Sequence, residues 1–308
     1  MGIRIKFWGV RGSIPSPGPD TIRYGGNTIC LEARCGKADR LVIIDAGSGI
    51  RSLGNSLMAA DVADGLREVD IFLTHTHWDH ILGFPFFAPL YIPGMTVRIH
   101  GSSSYEENHL EKVIGGQFMY RYFPVRVEEL ASIIEYVELG EGAFDLGEGL
   151  LLRTKRLNHP VSCMGYRFEC DGKSFATVFD MEPFQNLFEA EKSGSAFDER
   201  LAREGEETAA EQNRLVETFY AGADLIIHDA QYTRREYHTA RKGWGHSAVE
   251  DVIEAAQGNR VKRLALIHHD PERTDDQIDE LAGKFHTEGS SDGVMDVFFA
   301  REGMEITL

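Results

Sequence analysis

The stretch "FLTHTHWDHILGF", residues 72–84, sets His75, His77, Asp79 and His80 within six positions, directly behind the apolar run "VDIFL". In an extended segment leaving a strand, residues two apart project the same way, so His75 and His77 can share one ion. Asp79 and His80 follow after the chain turns, where their lone pairs can face a neighbouring ion. A lone histidine is usually a satisfied core residue, but burying this group unpaired would cost on the order of several kcal/mol. Structural zinc sites are usually closed by four ligands, often cysteines, whereas this cluster offers only imidazole and carboxylate. Such donors suit a pair of divalent ions that keep a position open for water. The remaining ligands are expected at the ends of other strands: His159 in "LNHP", Asp180 in "TVFD" and His268 in "LALIHHDP" each follow an apolar run and precede a break.

The order His75-x-His77-x-Asp79-His80, then a strand-end His, Asp and His, resembles the metallo-β-lactamase fold superfamily over nearly the whole chain. The resemblance implies an α/β fold, the αβ/βα four-layer sandwich with two central mixed β-sheets flanked by helices. It also implies two divalent ions, zinc or alternatively manganese. His75, His77 and His159 would hold one, Asp79, His80 and His268 the other, and Asp180 would bridge them, with Asp79 part of the catalytic centre. The "IIDAGSG" segment matches the superfamily's upstream motif, which makes Asp45 a buried carboxylate beneath the metal loop. An oxygen-reducing di-iron branch needs an acidic residue where this chain has His77, and is disfavoured.

"GWGHSAVEDVIEAAQGNRVKRLALIHHDP" resembles the phosphodiesterase branch that contains ribonuclease Z and the phosphoribosyl cyclic phosphodiesterases. His246 matches that branch's catalytic histidine. The upstream "LIIHDAQY" resembles its His-Glu-Ala-Thr motif, with Asp229 in place of the glutamate that orients the histidine. If the fold joins them, Asp229 fixes the tautomer of His246 and raises its pKa, making a proton donor near neutral pH. Of the pair His268-His269, alignment on Pro271 favours His268 as ligand; strand alternation turns His269 the other way, behind the ligands. The interval from His159 to Asp180 leaves room for little more than two strands, not the long arm of a tRNA-processing ribonuclease Z.

The 308 residues are 42% hydrophobic and 26% charged, ordinary globular composition. One domain is expected over 1–308, with an acidic helical insertion at about 181–212 around "DERLAREGEET". A net charge of −17 argues against a broad nucleic-acid surface, because phosphate binding rests on lysine and arginine. No run of about 18 apolar residues exists and "MGIRIKFWGV" lacks the apolar core of a signal peptide, so a cytoplasmic protein away from membranes is expected. Cys30, Cys35, Cys163 and Cys170 form no CxxC pair and read as buried free thiols.

Strand-like runs are "IRIKFWGV", "TICLEAR", "RLVIIDA", "VDIFLT", "LLLRTKRL", "SCMGYRFEC", "KSFATVF", "ADLIIHDA" and "RLALIHH". Helical patterns cover Ser48–Ala59, Asp79–Phe87, Tyr105–Ile114, Glu207–Tyr220, Ser247–Ala256 and Thr274–Phe285, the last two opened by capping boxes Ser247-x-x-Glu250 and Thr274-x-x-Gln277. Arg11, Ser13, Arg23 and Asn27 lie in a turn-rich loop from which they could reach a phosphate. "GFPFFAPLY" and "QFMYRYFPV" read as core, or as a substrate lid or homodimer face, and Trp78 as packing support.

The reading is a metal-dependent hydrolase cleaving a small or cyclic phosphodiester. A thiolester or lactone hydrolase of the same fold is the alternative, and a metal- or nucleotide-binding regulatory module is the alternative without turnover.

Overall fold

The computed structural model describes residues 2–102, 109–188, 198–287 and 295–308. Two seven-stranded sheets face each other. The first holds β1 (Ile3–Gly9), β2 (Cys30–Cys35), β3 (Arg40–Ile44), β4 (Glu68–Leu73), β5 (Thr96–Ser102), β6 (Ile133–Leu139) and β14 (Glu305–Thr307), in the order β14-β1-β2-β3-β4-β5-β6. The second holds β7 (Gly142–Asp145), β8 (Leu151–Leu157), β9 (Cys163–Cys170), β10 (Lys173–Val178), β11 (Leu225–Asp229), β12 (Arg263–Ile267) and β13 (Asp296–Phe299), in the order β13-β12-β11-β10-β9-β8-β7.

Alternation decides what lies between the sheets. In β1 the side chains of Ile3, Ile5 and Phe7 point inward and meet Phe72, Tyr166, Phe168, Phe175 and Ile227 in one core. The parallel strands are apolar on both faces because helices cover their outer side. Outside the first sheet pack α1 (Ile50–Ala59) and α3 (His109–Gly116); outside the second pack α4 (Glu199–Tyr220), α6 (Val249–Gly258) and α7 (Asp275–Phe285), with the single turn α5 (Arg234–Glu236) between β11 and α6. The result is the expected four-layer arrangement.

Strand direction gathers the site. β3 and β4 are parallel, and so are β10, β11 and β12. β8 is antiparallel to β9, which is antiparallel to β10, so β8 also ends at the edge where β10 ends. The residues that follow these strands therefore open on one edge, the usual place for ligands in parallel sheets.

Several expectations change in detail. Thr274 and Gln277 form their capping box, but Ser247 and Glu250 do not: α6 starts at Val249, and the Ser247 hydroxyl donates to the Met181 carbonyl instead (2.6 Å). The helix expected over Asp79–Phe87 is one turn, α2 (Trp78–Ile81), followed by 3-10 turns, as Gly83, Pro85 and Pro89 interrupt it. α4 begins eight residues earlier than expected because Asp198 caps it, accepting from the Arg200 and Leu201 amides. Part of the acidic insertion (189–197) and the start of the helix expected from Tyr105 lie outside the described residues. β5, β6, β7, β13 and β14 had no counterpart among the strand-like runs. The four cysteines are free and buried. Among the described residues no helix is long and apolar enough to cross a membrane.

Candidate metal centre

The segment after β4 delivers the cluster. His75 follows the strand by two residues, His77 takes the extended N-cap position of α2, and Asp79 and His80 follow on its single turn. His159 follows β8, Asp180 β10 and His268 β12. One atom from each of His75, His77, His159 and Asp180 lies within 4.8 Å of the others, and the same holds for Asp79, His80, Asp180 and His268. Asp180 belongs to both groups and divides its carboxylate between them. Its Oδ2 lies 3.5 Å from His75 Nε2 and 3.8 Å from His159 Nε2, whereas its Oδ1 lies 3.2 Å from both His80 Nε2 and His268 Nε2. Asp45, Asp180 and His268, each just past a strand, adopt positive φ (60°, 49° and 61°), a conformation that costs non-glycine residues about 1–3 kcal/mol and tends to cluster at functional sites.

Four of the five imidazoles are braced from behind. Asp45 accepts from the Thr74 amide (2.7 Å) and hydroxyl (2.8 Å), and its Oδ2 lies 2.7 Å from His80 Nδ1. His75 Nδ1 lies 3.1 Å from the Thr74 hydroxyl, His159 Nδ1 3.0 Å from the Gly245 carbonyl and His268 Nδ1 3.2 Å from Gln231 Oε1. These acceptors assign the proton to Nδ1 and leave Nε2 of all four rings turned into the cluster, the backing that metal-binding histidines use. His77 instead presents Nδ1, 3.0 Å from His159 Nε2.

The centre fits divalent ions on three counts. His75 Nε2, His80 Nε2 and Asp180 Oδ1 are buried without a hydrogen-bond partner, each an omission worth about 1–3 kcal/mol unless an ion fills it. The donors are the imidazoles and carboxylates that suit such ions. Charge is the third. Burial lowers the pKa of His80, but Asp180, Asp79 and Asp45 outweigh it and hold the ring well above its ordinary value, so a proton stands where an ion's charge belongs. Burial likewise raises Asp79 and Asp180, and the surrounding imidazoles, His80 and His268 foremost, bring both well below the carboxylate range.

His246 lies beside the cluster, buried, its ring stacked on His268 with centroids 4.7 Å apart. Its Nδ1 is 3.1 Å from Asp229 Oδ2, so Asp229 can hold the Nδ1 proton and leave Nε2 for chemistry. Asp229 is fixed in turn by the amides of Gln231 (3.1 Å) and Met181 (3.2 Å). Burial pushes His246 down, but Asp229, with Asp180 and Asp79 behind it, outweighs burial and holds the ring up to about 9.

The structure corrects the expected phosphate contacts. Arg11 is fully buried and donates to the carbonyls of Gly25, Asp270 and Arg273, so it braces the loop from within. Asn27 is spent on Glu302 and Ser48, and Arg23 pairs with Asp276 and Asp279 of α7. Ser13 does reach the centre, through its amide to Asp79 Oδ2 (2.7 Å). His269 turns its ring from the cluster to the Ala300 carbonyl (2.8 Å) and acts on the site only through its backbone, which holds Val10 and Gly12. Trp78, expected as packing support, is 81% exposed. The aromatic stretches divide: Phe84, Phe87 and Phe118 are core, while Phe86, Met119, Tyr120 and Tyr122 are exposed. Thr74, Gln231 and two glycines serve the site without a motif that marks them in the sequence. A Cβ on Gly12 would sit 2.2 Å from the His268 ring, and one on Gly245, at φ +84°, 2.6 Å from His159. Glycine beside a ligand-bearing segment is the signal that could have marked both.

Two mixed sheets whose shared edge carries an imidazole and carboxylate cluster define a divalent-metal site of the metallo-β-lactamase fold. The chain belongs to the beta-lactamase superfamily, whose domain model matches residues 40–198. Among similar proteins, a ribonuclease Z of Thermoplasma acidophilum is 26% identical over 90% of this chain and 89% of its own length. The metallo-beta-lactamase fold protein YhfI of Bacillus subtilis superposes with a TM-score of 0.62 at 16% identity, covering 99% of this chain and 98% of that one. A diphosphatase of the PhnP family superposes with a TM-score of 0.59 at 16% identity, covering 99% and 97%.

Proposed function

We propose that this protein is a metal-dependent phosphodiesterase holding two divalent ions, zinc in the first instance, and that its substrate is a small or cyclic phosphodiester. The observation that carries the reading is the division of Asp180, one oxygen toward His75 and His159 and the other toward His80 and His268. His77 completes the first set and Asp79 the second. Such an ion pair, when bound, supplies water activation near neutral pH and neutralises charge on phosphoryl oxygens.

The chain's own residues do the rest. Asp45, Thr74, Gly245 and Gln231 hold the imidazoles in the tautomer that presents Nε2. Asp229 orients His246 and favours its protonated form, so that His246 delivers a proton from Nε2 to the departing oxygen. A sugar alkoxide is a poor leaving group, and this help is worth about 10²–10⁴ in rate. The similarity to ribonuclease Z supports phosphodiester chemistry. Two features of the chain favour a small substrate: the β9–β10 hairpin, turning at Asp171 and Gly172, takes up the interval between His159 and Asp180, and the net charge is −17. The unpaired, buried cysteines accord with a cytoplasmic location.

The test is turnover of bis(p-nitrophenyl) phosphate, cyclic nucleotides and cyclic sugar phosphates by zinc-loaded protein, with a thiolester and a lactone beside them. Diester cleavage that chelator abolishes and zinc restores is the expected result. Thiolester or lactone turnover without diester cleavage would replace this reading, and metal binding without any turnover would favour a regulatory module.

A further inference from the structure

Glu182 lies two residues beyond Asp180, is buried, and is neither in the donor cluster nor in contact with His246. Its carboxylate accepts four hydrogen bonds. Oε1 takes the Tyr237 hydroxyl (2.6 Å), the Gly243 amide (2.7 Å) and the Gln185 side-chain amide (2.9 Å); Oε2 takes the Gly245 amide (2.9 Å). Its backbone is engaged as well, the amide donating to the Asn158 carbonyl (3.0 Å) and the carbonyl accepting from the Asn158 side chain (3.0 Å). One residue thus joins three segments: the one leading to His159, the one following Asp180, and the loop that carries His246.

Gly245 is the point of convergence. Its N–H donates to Glu182 and its carbonyl lies 3.0 Å from His159 Nδ1. The two groups belong to neighbouring peptide planes that meet at the Gly245 Cα, where φ is +84°, so the bond to Glu182 fixes one plane and restrains the direction of the carbonyl on the next. On the far side of His246, the Ser247 hydroxyl is fixed to the Met181 carbonyl. The backbone flanking His246 is therefore clasped on both sides by the two residues that follow Asp180.

We infer that Glu182 is a positioning residue which, through the backbone of Gly245, sets both the His159 imidazole for metal and the His246 imidazole for proton transfer. The part concerning His246 rests on the phosphodiesterase reading; the part concerning His159 does not. Glu182→Gln keeps the volume but puts an amide donor opposite either the Gly245 N–H or the group of donors at Oε1. Tyr237→Phe removes the hydroxyl's bond to Glu182 and the bond that the hydroxyl accepts from Gln185, and leaves the carboxylate in place.

The test measures zinc affinity by chelator competition on the full chain, then turnover at saturating zinc. Loss of an outer bond that orients a metal-binding histidine commonly costs 10–100-fold in affinity or activity. Glu182→Gln is expected to weaken zinc binding about tenfold. At saturating zinc it is expected to lower kcat for a diester with an alkoxide leaving group by about tenfold or more, with little change in KM and a smaller loss for a p-nitrophenyl diester. Tyr237→Phe should move both quantities the same way by less, and it keeps the inference testable if the glutamine variant does not fold. Zinc affinity within twofold of the unmutated protein in a folded glutamine variant, or in Tyr237→Phe alone if that variant does not fold, would overturn the inference, as would equal kcat losses for both leaving groups. If unmutated protein binds zinc yet cleaves neither diester, the phosphodiesterase reading fails, while the affinity comparison still decides the role of Glu182 toward His159.

Discussion

Replacing His246 with alanine separates proton transfer from metal binding. The ring stands outside the two donor sets that share Asp180, so zinc content should be unchanged in His246→Ala. Its Nδ1 is committed to Asp229 at 3.1 Å, which leaves one nitrogen to donate. General-acid help of about 10²–10⁴ corresponds to about 3–5 kcal/mol of barrier. His246 is 9% exposed, so water can enter the vacated space and replace part of that help, which places the expected loss at about 10²–10³ for an alkoxide leaving group. A p-nitrophenolate leaves with little need of a proton, and its diester should lose less than about tenfold. Asp229→Asn removes the charge that holds His246 up but keeps a polar partner, so a milder loss of about tenfold with the same leaving-group dependence is expected. The assay is kcat and KM for the two diesters at saturating zinc with metal analysis of each variant. Equal losses for both diesters would refute proton donation and make His246 a binding group. Loss of zinc would make it a ligand, since Asp229, His246 and His268 also lie close enough to hold an ion.

Three further outcomes are expected. Gly12→Ala brings a Cβ to 2.2 Å from the His268 ring and should cost at least about tenfold in zinc affinity by chelator competition, whereas Gly18→Ala, which meets nothing within 4 Å, should leave it unchanged. Asp70 is held at about 2, against an ordinary 3.8, because His100 and Arg40 outweigh the effect of burial. A depressed carboxyl pKa stabilises the fold above the unfolded value and loses that stability as pH falls through the folded one, so about 2 kcal/mol should disappear between roughly pH 4 and 2; denaturant unfolding of chelated protein should show this loss, and Asp70→Asn should lack it. Precursor tRNA should be processed negligibly in an assay where a small diester is cleaved, and efficient 3′ trimming with steep salt dependence would restore a ribonuclease reading.

The legible part of the site was the part compressed into one segment. His75, His77, Asp79 and His80 lie on one strand exit and one helical turn, so local spacing already places their side chains. His159, Asp180 and His268 are legible as polar residues closing apolar runs, but the left-handed backbone of Asp180 and His268 and the division of Asp180 between two donor sets are not, since they arise only when both sheets meet. Arg11 shows the opposite failure. A loop full of turn formers reads as surface, and much of it is exposed, yet Arg11 at its start is buried by contacts to Asp270 and Arg273, far away in sequence. Ser247 reads as a helix cap from its neighbours, yet its hydroxyl donates to the carbonyl of Met181, distant in sequence. The unread strands are short or mixed: β14 has three residues, and β6 alternates irregularly because much of it is exposed.

The number of ions that turnover requires is the most direct test of a shared two-ion centre. Chelator-stripped protein should be titrated with zinc while bound metal and diester cleavage are followed in the same samples, for the unmutated chain and for Asp180→Asn. Turnover is predicted to be absent at the start and to level off at two ions per chain, with Asp180→Asn holding fewer ions and cleaving at least about a hundredfold more slowly. Full turnover by stripped protein, or a plateau reached at one ion per chain, would contradict it.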